Sequence, residues 1–111
     1  MSPLYEKLRH SLRDIAAPAA QQQRALEALG VVPDELALEL DGYGLAAKSL
    51  VDSGELSKSA HEAVLDLLAF FDTFGGAENA SEWTMDALYS SPNWARARDK
   101  AAKALALMEA P

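Results

Sequence analysis

The chain contains no cysteine, which removes disulfides, thiolate metal sites and cysteine nucleophiles and fits a reducing compartment; a cytoplasmic location is expected. Positive charge is scarce, with ten Lys and Arg against seventeen Asp and Glu, a net −7. Nonspecific attachment to nucleic acid or to an anionic membrane needs positive charge facing phosphates, so neither is an expected partner, and a basic protein is favoured instead. Long apolar runs are missing too. No stretch is long enough to span a bilayer, and the amphipathic N-terminal residues do not read as a signal peptide.

Signatures of chemistry are equally sparse. The two histidines are His10 and His61. His61-Glu62 begins like the zinc-protease helix motif, but Leu65 stands where the second histidine is needed. Gly42-Tyr43-Gly44 lacks the preceding strand, the third glycine and the helix start of a dinucleotide fingerprint. Glu62 and Asp66 are acids four residues apart, a spacing ordinary on a solvated helix face. No catalytic, cofactor-binding or metal-ligating residue is assigned, and the chain is not expected to be an enzyme.

What the chain does have is apolar periodicity. Half of its residues are hydrophobic, sufficient for one core in a single domain over residues 1–111. The stretch Leu56–Phe74 organises the rest: Ala60, Ala63, Val64, Leu67, Leu68, Phe70, Phe71 and Phe74 form an apolar arc wider than that of an ordinary surface helix, so it should touch several neighbours. Ser57 or Ser59 can cap it, Ser59 with Glu62 as a capping box, and Gly75-Gly76 can close it. Ser2-Pro3 opens a first helix carrying Leu4, Tyr5, Leu8, Leu12 and Ile15, and Pro18 either breaks it from a second or kinks one longer helix, with Gly30 as the stop. A third helix is expected over residues 34–51, with Gly42 and Gly44 as points where it can break; a hairpin at Asp41-Gly42 is the rival, disfavoured by the lack of β-branched residues. Thr84 caps a short helix through Leu88 and Tyr89. Ser91-Pro92 opens a last one with Trp94, Ala97, Ala101, Ala104, Leu105 and Met108 inward. Arg98 interrupts that stripe and is expected to lay its stem on Trp94 and reach a carboxylate. The fold expected is all-α, an irregular antiparallel bundle of five or six helices.

Charge is unevenly placed. Residues 33–86 hold twelve acids and two bases, whereas both ends carry a small positive excess. Either the basic terminal helices pack beside the acidic middle and neutralise it, or the middle is a docking face for a basic partner. Three large apolar residues sharpen the second reading. Leu65 points away from the arc of its helix, and Leu38 and Leu45 fall opposite the main stripe of theirs. With the acids Glu62, Asp66 and Asp72 they form the expected partner-binding set, while Arg96 and Lys103 on the last helix are expected bystanders.

A cysteine-free, acidic, all-helical chain with Glu82-Trp83-Thr84-Met85-Asp86-Ala87-Leu88 and Pro92-Asn93-Trp94 near its end resembles the small immunity proteins encoded beside bacterial toxins. The resemblance is one of size, charge and texture, and no functional immunity residue matches a position here. It implies a bacterial, non-enzymatic inhibitor that covers a basic nuclease toxin. The alternative is a self-associating subunit or adaptor, a homodimer that buries Leu38 and Leu45 against its mate.

Overall fold

In the computed structural model, which describes residues 2–110, four helices begin on a hydroxyl cap. Ser2 accepts the Tyr5 N–H at the start of α1 (Pro3–Ala16), and Ser57 accepts the Ala60 N–H at the start of α5 (Lys58–Asp72). Thr84 does the same for α6 (Met85–Ser90) and Ser91 for α7 (Pro92–Glu109). Each cap satisfies a backbone donor that the helix itself cannot. The other helices are α2 (Ala19–Leu29), which follows Pro18, α3 (Asp34–Ala46), which follows Pro33, and α4 (Lys48–Asp52). A 3₁₀ segment, Ala77–Trp83, links α5 to α6, and no strand occurs among the described residues. Gly30 closes α2 with φ +69°, a conformation open to glycine at little cost.

These seven helices replace the five or six expected, and a plain antiparallel bundle is too simple a description. The third expected helix divides at Ala47, not at either glycine. There the Ala47 N–H bonds the Gly44 carbonyl three residues back, a 3₁₀-type tightening that starts α4. Ala47 and Leu50 both enter the core, and the Leu50 carbonyl accepts the Glu55 and Leu56 N–H groups to fold the connection back. The central helix is shorter than Leu56–Phe74: Ser57 caps it, Ser59 lies within it, and it ends at Thr73 before the glycine pair, of which Gly76 has φ +92°. Leu56 and Phe74 stay buried outside its ends.

The core gathers on α7. Ala97, Ala101 and Ala104 are fully buried, and these small side chains let α7 lie against both α1 and α5. Tyr5 of α1 donates its hydroxyl to the Met108 carbonyl at 3.0 Å, and Arg13 reaches Glu109 at 3.8 Å. At the other end of α7, Trp94 is 0% exposed, with Phe71, Phe74 and Trp83 at ring-centroid distances of 5.5, 6.3 and 5.4 Å. Its indole N–H donates to the Glu82 carbonyl at 2.6 Å. Arg98 departs from expectation: it donates to the Leu88 carbonyl (2.8 Å) and to the Gln22 amide oxygen (3.3 Å) rather than to a carboxylate. Gln22, itself buried, donates to the Asp14 and Ile15 carbonyls, so its amide ties the end of α1 to α2 and, by accepting from Arg98, to α7, while Arg98 carries the link on to α6. The Cα radius of gyration, 13.6 Å, is close to the roughly 13 Å of a compact fold of about 100 residues.

Two outcomes follow from this packing. Trp94→Ala should cost about 3–5 kcal/mol, a large share of the roughly 5–15 kcal/mol of a typical domain, and should strongly lower the urea midpoint. The glycines of α3 should respond oppositely. A side chain at Gly42 meets nothing within 4 Å, so Gly42→Ala should stabilise by about 0.5–1 kcal/mol through helix propensity alone. At Gly44 a Cβ would lie 2.8 Å from Leu68 Cδ1 and 3.2 Å from Val64 Cγ1. Gly44→Leu should therefore destabilise by about 1–3 kcal/mol by forcing α3 off α5, read as a lowered urea midpoint.

Candidate functional site

The close approach at Gly44 holds one end of α3 against α5, and from there toward the start of α3 the two helices border an open groove. Ala37 and Leu38 of α3 and Leu68 and Phe71 of α5 line it, and Trp83 closes its far end. Its volume is about 670 Å³. Trp83 is fixed there by stacking on Phe74 (5.1 Å between centroids, 20° between planes) and by donating its indole N–H to the Phe74 carbonyl at 2.8 Å. Asp34, Asp41 and Asp72 stand on its rim, and no Lys or Arg lines it.

The three apolar residues singled out from the sequence are exposed and belong to this side of the molecule. Leu38 is 63% exposed, Leu45 68% and Leu65 42%. Leu38 and Leu45 are two turns apart on α3, hence on one face, with Asp41 between them. Leu65 precedes Leu68 by three residues and Asp72 by seven, which places it on the edge of α5 that turns toward α3. No helix of the chain covers any of the three.

Glu62 and Asp66 do not belong with them. They lie on the opposite edge of α5, facing α7, in a shallow cleft that they share with Lys100 and Lys103. Asp66 pairs with Lys100 at 2.7 Å, and the same ammonium sits 5.3 Å from the centre of the Phe70 ring. The expected six-residue set thus divides: Leu38, Leu45, Leu65 and Asp72 share the α3/α5 side, while Glu62 and Asp66 sit beside basic residues of the last helix. Lys103 is correspondingly no bystander to those two acids. The acids of the middle segment thus divide along α5: Asp66 is paired with Lys100 toward α7, whereas those toward α3 have no base beside them in the groove. Among the described residues none of Asp34, Asp41 and Asp72 forms an ion pair.

Sequence reasoning missed the groove floor and two of its acids. Asp34 sits in the first turn of α3, where the helix dipole by itself favours an acid, and Asp41 precedes Gly42 within the helix. Yet they lie four before and three after Leu38, so they flank it on one helical face, and that spacing was readable. The contribution of Trp83 was not, because it reaches the groove through a 3₁₀ segment with no apolar periodicity.

A second concave region lies between α1 and α3, about 330 Å³, lined by Arg9, His10, Arg13, Glu39 and Tyr43 among others. Three of its side chains have partners: Arg9 pairs with Glu6 at 2.7 Å, His10 approaches Asp14 at 3.5 Å and Arg13 approaches Glu109 at 3.8 Å. Burial, then the nearby Asp14 and Glu35 carboxylates, raise the Glu39 carboxyl above its ordinary 4.5. Glu55 goes the other way, lowered by accepting the Ser2 backbone N–H at 2.8 Å. Among the described residues no three His, Asp or Glu side chains converge as a metal site, and no helix is long and apolar enough to cross a membrane.

Comparison with protein-family models, curated proteins and solved structures finds no match to this chain.

The raised Glu39 sets a pH prediction. Its charged form is disfavoured by folding, so the destabilisation is fully present above the raised value and disappears below the ordinary carboxylate range. Glu39→Gln should raise the urea midpoint near neutral pH and leave it unchanged in acid, as paired denaturation curves at the two pH values would show.

Proposed function

We propose that this chain is a non-enzymatic protein-binding module that docks a basic partner on the α3/α5 side. The carrying observation is the coincidence, on the α3/α5 side, of exposed leucines with acids that form no ion pair among the described residues. A solvated surface does not require three large exposed apolar side chains on one side of a helix pair, one of them lining an open groove, and a purely structural acid–base balance would have placed bases beside Asp34, Asp41 and Asp72 as it does beside Asp66. Exposed carboxylates would steer a basic partner by long-range attraction, and Leu38, Leu45 and Leu65 would hold it by burial. This chemistry supports the reading of a toxin-neutralising, immunity-type inhibitor in a bacterial cell, with the partner a basic nuclease covered rather than cut. A homodimer through Leu38 and Leu45 is the competing occupant.

The test compares faces. Asp34→Asn combined with Asp72→Asn should slow association with the captured partner about tenfold at low salt and flatten its salt dependence, since exposed charges are screened within about 8–10 Å at physiological ionic strength. Leu38→Ala should act on dissociation. Glu62→Gln with Asp66→Asn should change neither. Loss of binding in the last variant with the first two unaffected would place the docking face toward α7. A concentration-dependent dimer in sedimentation that Leu38→Ala abolishes would assign the surface to a second copy.

A further inference from the structure

We propose that the occupant of the α3/α5 groove is a single amphipathic, basic α-helix of the partner, inserting about two turns between Leu38 and Trp83. The inference rests on the α3/α5 side being the docking face and adds the form of what docks. Its basis is the shape and chemistry of the groove. From Asp34 to Asp41, α3 rises roughly 10 Å at about 1.5 Å per residue, the axial distance between the first and last of three anchors spaced i, i+4 and i+7. Below that run Ala37, Leu38, Leu68, Phe71 and Trp83 offer apolar contact, with the backbone of Gly75 and Gly76 near the far end.

An extended segment finds no strand to pair with. No sheet edge occurs among the described residues, so the N–H and C=O groups of a strand would lie mostly against side chains, with no ladder to join. A helix satisfies those groups internally and brings only its apolar stripe. A second copy of this chain is disfavoured by charge. An isologous contact through the groove would set Asp34, Asp41 and Asp72 of one copy against the same three of the other, whereas Lys or Arg beside the anchors would meet all three favourably. The apolar stripes of α1, α5 and α7 are already spent on the core.

Three capped synthetic peptides of about fourteen residues provide the test: one of Leu and Lys with leucines at i, i+4, i+7 and i+11, an isomer of identical composition with leucines scattered around the wheel, and a Leu/Glu version of the first. Binding is followed by nuclear magnetic resonance shifts of the Ala37, Leu38 and Leu68 methyls and of the Trp83 indole N–H. The patterned basic peptide should bind at least tenfold more tightly than its scattered isomer and should shift those four signals first. The Leu/Glu peptide should not bind measurably. Asp34→Asn/Asp41→Asn/Asp72→Asn and Leu38→Ser should each weaken the patterned peptide about tenfold or more. All these positions are exposed, so an unchanged urea midpoint confirms that the fold is intact. Equal binding of the two basic isomers, or shifts that map to α1 or α7, would overturn the helix-in-groove inference. The docking-face reading would survive that result if the face comparison with the captured partner still singled out Asp34, Asp72 and Leu38, and would fall with it if that comparison pointed elsewhere.

Discussion

Everything in this fold leans on the narrow side of α7. Ala97, Ala101 and Ala104 present almost no bulk, so α1 and α5 both approach its backbone closely, and the larger side chains sit at its two ends, Trp94 at one and Met108 at the other. Small residues at a helix crossing give up hydrophobic area locally but allow a third helix to be shared between two neighbours. The aromatic residues then concentrate where the helices diverge. Phe71, Phe74, Trp83 and Trp94 fill that end with tilted and edge-on contacts, and both indole N–H groups find backbone carbonyls. Trp83, pinned in this way, becomes both the edge of the core and the end wall of the groove.

The same arrangement decides how charge is displayed. Packing α7 against one edge of α5 brings Lys100 and Lys103 beside Glu62 and Asp66, so a strongly acidic segment acquires counter-charges there from a basic end of the chain. The other edge of α5 faces α3, which is itself acidic and brings none. Polarity of the surface is therefore a consequence of which helices are neighbours, and the uncompensated side is the side where Leu38, Leu45 and Leu65 emerge. Gly44 contributes to this geometry. By admitting Leu68 and Val64 within contact distance of the α3 backbone, it draws one end of the helix pair together and leaves the groove toward the other.

The residues that hold the fold are thus distinct from those proposed for docking. The side chains that hold the fold, Tyr5, Gln22, Trp94 and the alanines of α7, are buried and engaged with backbone groups or with one another. Those proposed to meet a partner stand on the exposed faces of α3 and α5 and, among the described residues, make no ion pair or side-chain hydrogen bond. Such a separation allows the docking face to vary without cost to the core, which suits a module whose specificity lies in charge placement.

Local chemistry in the sequence determined a great deal. Ser2, Ser57, Thr84 and Ser91 could be read as caps, Pro18 as a break and Gly30 as a stop, because each acts within one turn of its own position. The apolar stripes of α1 and α7 were legible for the same reason, as was the exposure of Leu38, Leu45 and Leu65, since a helix converts spacing directly into facing. The division of the third helix at Ala47 was hidden because it answers to where Ala47 and Leu50 are buried, not to the permissive glycines nearby. The parting of Glu62 and Asp66 from Asp72 was hidden more deeply. All three lie outside the apolar arc of one helix, and only the neighbours packed on its two edges, α7 with its lysines and α3 with its aspartates, decided which acids stand beside bases and which do not.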